Sequence, residues 1–349
     1  MPATNHNDLV THTILVGSSP RLTVADALPQ TAHVVEIQVE GELNKIPTAT
    51  VTLRDGNPYE QDFALSSSGL LEPGKFIEVK LGYNGHETTV FKGLITAISH
   101  QIQESRSLLV ATCKHETVKM TVARHSRHYA EVKDSEIAEQ LLSENGLTDF
   151  EVESTPVVHE QLLQHQITDW DFMMTRLDGN GLYYTVEAGK IVIRKPDTSR
   201  APVTTLTYGN NILSFDAALD ARVQSTGVIS YAWDPTAQEV TETDGTASDE
   251  ELAAILDESV EIRLPGAVDR QSLQLLADAK RNRQSLSQIK GRVRCPGNGD
   301  IVPGSFITLD GVGRRFNGNV FVSAIHHDYA EGNWTTEATL GWDEAFFAE

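Results

Sequence analysis

Residues 303–342 read PGSFITLDGVGRRFNGNVFVSAIHHDYAEGNWTTEATLGW, and residues 73–113 read PGKFIEVKLGYNGHETTVFKGLITAISHQIQESRSLLVATC. The two stretches share their punctuation. Pro73, Gly74 and Phe76 return as Pro303, Gly304 and Phe306. Phe91 and Gly93 return as Phe316 and Gly318, and Ala97 and Ile98 as Ala324 and Ile325. Ala111-Thr112 is echoed by Ala338-Thr339. The offset stays between about 225 and 230 residues, so length changes fall in turns while the pleat keeps its register. An internal duplication explains this economically. Each copy begins at a Pro-Gly turn, alternates apolar and polar residues (Ile77, Val79, Leu81 against Phe76, Glu78, Lys80), and continues through a Gly-rich turn into two further runs. Each therefore reads as a three-stranded antiparallel meander.

A meander has two edges and one apolar face, and needs further strands to cover them. Residues 34–55 can be laid on residues 213–234, with Ile37 over Phe215 and Val51 over Ile229. Each half then holds enough strands for a small antiparallel barrel. The expected fold is mainly β, two similar small antiparallel β-barrels flanking a small α/β domain. Its boundaries are an N-terminal segment at 1–32 with a strand at Thr13 to Val16, a first barrel at 33–115, the α/β domain at 116–200, and a second barrel at 201–349. The second barrel carries an acidic loop at 235–262 and a long helix at 269–289.

Within 116–200 the period changes. Asp134 is placed to cap a helix bearing Ile137, Leu141 and Leu142, which Asn145-Gly146 ends. Thr168 caps a second helix, with Asp171 completing a capping box and Trp170, Met173, Met174 and Leu177 forming an apolar stripe. Gly179-Asn180-Gly181 stops it, and residues 182–186 and 190–194 form a hairpin. In the long helix, capped by Asp269, Leu275, Leu276, Ala279, Leu286 and Ile289 make the apolar stripe, with Lys280, Arg281 and Arg283 facing water.

The 349 residues carry a formal charge of −21, with 40% hydrophobic and 22% charged residues. That balance argues against nucleic acid as a specific ligand, because phosphate binding needs clustered Lys and Arg. Residues 223–262 hold no Lys or Arg and read as a solvated acidic insertion. No apolar run approaches the roughly 20 residues of a membrane span. The first residues lack the basic start and apolar core of a secretory signal. Cys113 and Cys295 read as reduced core thiols. The chain lacks GxSxG, GxxxxGKS, HExxH and CxxC. His326 and His327 are neighbours on a strand, point to opposite faces and cannot share a metal. Asp169 and Asp171 are explained by capping. Ser126 beside His125 and His128 reads as a surface cluster. No catalytic, cofactor or metal residue is expected.

The stretch 165–193, HQITDWDFMMTRLDGNGLYYTVEAGKIVI, resembles the helix-hairpin signature of the VgrG family and the related phage late-control D proteins. The residues carrying it are Asp169, Trp170, Asp171 and Phe172 on the helix and Asn180, Gly181 and Leu182 in its turn. Residues 311–342 are similar to the closing strands of that family's second barrel, including Asn333-Trp334-Thr335-Thr336. The resemblance implies a non-enzymatic baseplate hub of a contractile injection apparatus, a homotrimer meeting a six-fold inner-tube protein on one face and a three-fold spike on the other, among other baseplate proteins. The N-terminal half looks more like extracellular phage-tail-like particles and phage baseplates than type VI secretion. Many members continue into a spike, whereas this sequence stops at Glu349, so the spike is expected as a separate protein or a continuation. Two other readings stay open: an envelope-degrading hydrolase using two carboxylates, and a carbohydrate-binding module using Trp233 or Trp334.

Overall fold

The computed structural model describes residues 9–342 except 30, 60, 104–105, 220–226, 235–237, 246–258 and 265–269. The first part contains β1 (Val10–Gly17), β2 (His33–Glu42), β3 (Thr48–Arg54), the short helix α1 (Ala64–Ser67), β4 (Phe76–Tyr83), β5 (His86–Gln103) and β6 (Arg106–Lys114). There follow β7 (Arg124–Lys133), α2 (Asp134–Glu144), β8 (Phe150–Val152), β9 (Val158–Thr168), α3 (Asp169–Gly179), β10 (Tyr183–Glu187) and β11 (Lys190–Arg194). The last part contains β12 (Thr204–Thr207), β13 (Ser214–Leu219), β14 (Val228–Asp234), β15 (Glu239–Asp244), β16 (Val260–Leu264), α4 (Arg270–Leu286), β17 (Ile289–Pro296), β18 (Phe306–Asp310), β19 (Gly318–Ala330) and β20 (Asn333–Leu340).

The chain is mainly β, and its strands from the two ends join one twelve-stranded sheet. Both expected meanders are present, β4-β5-β6 and β18-β19-β20, antiparallel throughout. The first six strands run in the order β1-β4-β5-β6-β3-β2, and the last six in the order β12-β18-β19-β20-β17-β13. Register agrees as well. Ile37 faces Val51, Val51 faces Ala111 and Ala111 faces Ile98; Phe215 faces Val293, Val293 faces Ala338 and Ala338 faces Ile325. A bulge falls between Ile95 and Ala97 in one meander and between Val322 and Ala324 in the other. The halves differ at one strand: β1 is antiparallel to β4, whereas β12 is parallel to β18.

Three expectations about this sheet need correction. Neither half forms a closed barrel among the described residues, because the outer edge of β2 pairs with β19 instead of turning back to β1. Val51 is not matched by Ile229: the counterpart of β3 is β17, while β14 lies in a separate three-stranded sheet with β15 and β16. Alternation alone cannot tell which of two successive runs pairs with a distant strand. The Phe91/Phe316 and Gly93/Gly318 match is displaced by two residues. Phe91 faces Val79, Gly318 faces Leu309, and Phe316 lies in the turn before β19 with its ring against Phe215. The turn between β18 and β19 is longer than the Asn84-Gly85 turn, so matching letters across it slipped while the strands held register.

Other elements also differ. The strand expected at Thr13 to Val16 is the longer β1, with Ile14, Leu15 and Val16 buried against β4. The acidic stretch contains β15 and begins β16 rather than forming one loop; Glu239, Glu242 and Asp244 face outward while Thr243 is buried. Asp249, Glu250, Glu251, Asp257 and Glu258, the cap Asp269 and the terminal Phe346-Phe347 lie outside the described residues. Helix α4 ends at Leu286, so Ile289 opens β17. Its most buried positions are Leu273, Ala277, Ala279, Arg281 and Gln284, because α3 as well as β14 and β15 pack on it.

The core forms separate clusters. One joins residues of the first six strands with Tyr329 and Trp334 from the far end of the chain. A second gathers Met120 to Ile193 around Trp170, Met173 and Leu177. A third lies within the last six strands, and a small fourth joins Leu43, Tyr183, Phe306, Phe321 and Trp342.

Candidate functional site

Asp169, Trp170, Asp171 and Phe172 open α3, and Asn180, Gly181 and Leu182 follow it, with two buried carboxylates holding the region together. Asp169, 1% exposed, opens α3. Its Oδ1 accepts hydrogen bonds from Arg127 Nη1 (2.6 Å) and Gln164 Nε2 (2.9 Å), and contacts His125 Nδ1 at 2.9 Å. Its Oδ2 accepts from Asn145 Nδ2 at 3.0 Å, tying the end of α2 to the start of α3. Burial alone would raise this carboxyl, but the donors Gln164, Asn145, His125 and Arg127 outweigh it and hold the group below the usual aspartate range. Thr168 caps the same helix, accepting from the Asp171 N–H at 3.0 Å and donating to Asp171 Oδ2 at 2.6 Å. Trp170 and Phe172 are buried on either side, Trp170 edge-on to Tyr184 and Phe172 stacked on Tyr129.

Asp134 is the second carboxylate, and its role differs from the expected cap. The backbone N–H of Lys133 is instead accepted by Glu136 Oε2 at 2.9 Å. Asp134 accepts from Arg176 Nε (2.6 Å) and Nη2 (3.1 Å) and from Asn180 Nδ2 (2.8 Å), with His159 Nε2 at 2.9 Å. Burial pushes it up, and Arg176, His159 and Asn180 pull it further down. Asn180 therefore closes α3 by binding the first residue of α2. Gly181 follows at φ +68°, and a Cβ there would meet that of Ala279 on α4 at 2.8 Å.

Leu182 leads into Tyr183 and Tyr184, a junction that the sequence signature did not reveal. The Tyr184 N–H donates to Asn44 Oδ1 at 2.9 Å, and the Asn44 N–H donates back to Tyr184 O at 3.0 Å. Thr185 Oγ1 donates to Pro303 O at 3.1 Å. The Tyr183 ring packs against Gly304, where a Cβ would come within 2.6 Å of its hydroxyl. Three consecutive residues thus join the α2–α3 region to the turn after β2 and to the second Pro-Gly turn. Two adjacent buried aromatics were the available signal: a strand buried on both faces loses its alternation.

The paired Pro-Gly turns are alike in their hydrogen bonds. Gly74 N–H donates to Ile95 O at 2.8 Å and Gly304 N–H to Val322 O at 2.8 Å; Ile95 N–H donates to Lys75 O and Val322 N–H to Ser305 O, each at 2.9 Å. Both glycines have positive φ, +93° and +89°. Phe76 faces Leu94 and Phe306 faces Phe321. Ala97 and Ala324 follow the bulges, and Ile98 and Ile325 point into the sheet's apolar face.

What this arrangement can do chemically is limited by its saturation. Asp134 and Asp169 are each occupied by donors from several elements, which leaves neither free to transfer a proton to a sugar oxygen. His327 is buried, 2.8 Å from Thr336 Oγ1, and burial lowers it to about 3. His326 faces the other way, 3.6 Å from Glu40 Oε1. Burial raises the thiols of Cys113 and Cys295 to about 12 each. Trp334, a candidate for stacking on sugar, is 4% exposed, between Tyr83 and His327. Trp233 is 49% exposed, opposite Val240.

The fold is one that solved phage tail proteins share. The chain is similar to the tail protein of Neisseria meningitidis MC58, at TM-score 0.66 and 13% identity, covering 95% of this chain and 97% of that one. It is similar to the 43 kDa tail protein of prophage MuSo2 from Shewanella oneidensis, at TM-score 0.67 and 10% identity over 95% and 98% of the two chains. A chain of the Francisella PdpA–VgrG complex matches at TM-score 0.59 and 12% identity, over 97% of this chain and 53% of that one. By sequence, residues 6–331 match the family model described as the Alg8 N-terminal domain, and the chain belongs to that family. No curated protein matches it significantly.

Proposed function

We propose that the chain is a structural, non-enzymatic component of a phage-tail-like baseplate, and more specifically a VgrG-like hub. Three copies form a ring that adapts a six-fold inner tube to a three-fold spike, as part of an injection particle or phage virion. The observation that carries this reading is the repeated strand order. Each chain holds two six-stranded units of like strand order, alike in register across the four strands about each meander and in the bulge of the meander's middle strand, so a trimer presents six similar units around one axis. An ancestral duplication accounts for the likeness, and 33–115, 116–200 and 201–349 are then two sheet domains and the connecting α/β domain. The shared fold of solved tail proteins supports the baseplate setting, and the PdpA–VgrG likeness supports a hub with further protein partners. An assembly of this kind buries on the order of 2,000 Å² or more at each interface. Light scattering on the purified chain is expected to give three chains per particle and negative-stain images a three-lobed ring. A monomer persisting at micromolar concentration overturns the hub. Clearing of cell-wall suspensions by the purified chain would overturn the non-enzymatic reading.

A further inference from the structure

A groove of about 510 Å³ lies between β12 and the loop that follows β17. Thr204, Thr205 and Thr207 line it from β12, Asn211 from the turn that follows, and Tyr83 and Asn298 from elsewhere in the chain. Among the described residues that line it there is no Asp, Glu, Lys, Arg or His, although 22% of the chain is charged. The groove is therefore a neutral, hydroxyl- and amide-rich site on an acidic molecule.

Its walls are fixed before any ligand arrives. Among the described residues β12 pairs along one edge only, with β18, and an open edge of this kind invites an added strand. Asn211 forestalls that. Its Nδ2 donates to Thr205 O at 3.0 Å and its Oδ1 accepts from the Thr207 N–H at 2.7 Å, the two bonds that a neighbouring parallel strand would make about Leu206. The Asn210 and Asn211 N–H groups both donate to Thr207 O, at 3.1 and 3.2 Å, which holds the turn. Asn298 is anchored by its N–H to Thr336 Oγ1 at 2.9 Å and by its Oδ1, which accepts from the Asp300 N–H at 3.0 Å. The Tyr83 ring is backed by Trp334, with 5.4 Å between ring centres. Among the described residues the hydroxyls of Thr204, Thr205 and Thr207 and the Nδ2 of Asn298 make no hydrogen bond within the chain.

We propose that this groove binds a short neutral oligosaccharide. A charged ligand would give up its hydration there and find no opposite charge in return. An extended peptide is excluded from the edge of β12 while Asn211 occupies Thr205 and Thr207. A sugar matches what remains. Its hydroxyls, each a donor and an acceptor, meet threonine hydroxyls and an amide N–H, and its C–H faces meet the apolar surface of Tyr83, Pro202 and Pro296. The volume falls within the range of about 300–1,000 Å³ of small-molecule sites. The inference stands apart from the hub reading, since neither requires the other.

Cellobiose, maltose, lactose and N,N′-diacetylchitobiose are the probes, titrated into the full chain and followed by saturation-transfer NMR and calorimetry. At least one is expected to bind, and the uronic acid form of the bound disaccharide to bind at least about tenfold more weakly. Thr205→Val with Thr207→Val removes both hydroxyls while keeping side-chain shape and strand preference. This variant is expected to keep the thermal midpoint and to lose affinity at least about tenfold. Thr241→Val, outside the groove, is expected to bind as the unaltered chain does. Failure of all four sugars to bind, equal binding of the uronic acid, or an affinity unchanged by the double substitution overturns the site and leaves the hub reading standing.

Discussion

Asp169 shows how a carboxylate buried at the start of α3 is held by elements far away in the chain. A carboxylate this buried needs its lone pairs matched, and here the partners come from β7, β9 and the end of α2. Asp169→Ala leaves Arg127 without its buried partner, and is expected to cost about 3–5 kcal/mol, read by urea denaturation. Acid should weaken the fold through two sets of groups with overlapping pH ranges. His115 and His327 are held neutral by burial, titrating at about 4 and about 3. The unfolded chain accepts those protons at about 6.5. Stability from these two groups is therefore present above that pH and falls as the pH drops toward 3. Replacing His327 by Gln is expected to flatten that slope in stability measured against pH. Asp134 and Asp169 have lowered carboxyls, so their contribution is intact above about 4 and is lost only below it, as the pH falls through their folded values. The sequence reading identified Asp169 as a helix-start residue but missed its partners, because Arg127 and Asn145 reach it from 42 and 24 residues away in the chain and Gln164 from the strand before it. Asp134 was read as a cap for the same reason: its real partner, Arg176, is 42 residues away.

Among the elements, the two Pro-Gly turns form a natural experiment. Alanine at Gly74 incurs only the strain of positive φ, since nothing lies within 4 Å of its added carbon, and about 1–2 kcal/mol is expected. Alanine at Gly304 has the same φ strain and also drives into the Tyr183 ring, so its loss in denaturant midpoint is expected to be distinctly larger. Equal losses would mean that Tyr183 is not seated there. Thr168→Ala removes the α3 cap and is expected to cost about 1–2 kcal/mol by the same measurement. Helix α3, the β10–β11 hairpin and both meanders were legible because local chemistry dictates them: a capping box, a glycine stop, and alternation between turns. Helix α4 was legible as a helix but not in its buried face, which is set by the elements that pack around it rather than by its own stripe.

For the whole molecule, a charge of −21 on 349 residues means that compact folding works against self-repulsion. Raising salt from about 10 mM to about 150 mM shortens the screening length from about 30 Å to about 8 Å. The thermal midpoint is expected to rise by a few degrees, and a midpoint independent of salt would show the repulsion to be already neutralised by local pairing. At this scale no closed barrel forms among the described residues, although the strands themselves were located well. Among the described residues each unit stays unclosed, and the first unit's edge at β2 is taken by β19 of the second.

The sequence by itself determined the strands of the two meanders, their common register through Ile98 and Ile325, and the capped helix with its glycine turn. Those features depend on side-chain alternation and on backbone angles within a few neighbouring residues. Only the tertiary structure decided that the counterpart of β3 is β17 rather than β14, that Asp134 binds Arg176 and Asn180, and that the two units share a seam instead of closing separately. Each of those outcomes is a competition between partners far apart in the chain, and identical local patterns satisfy either choice.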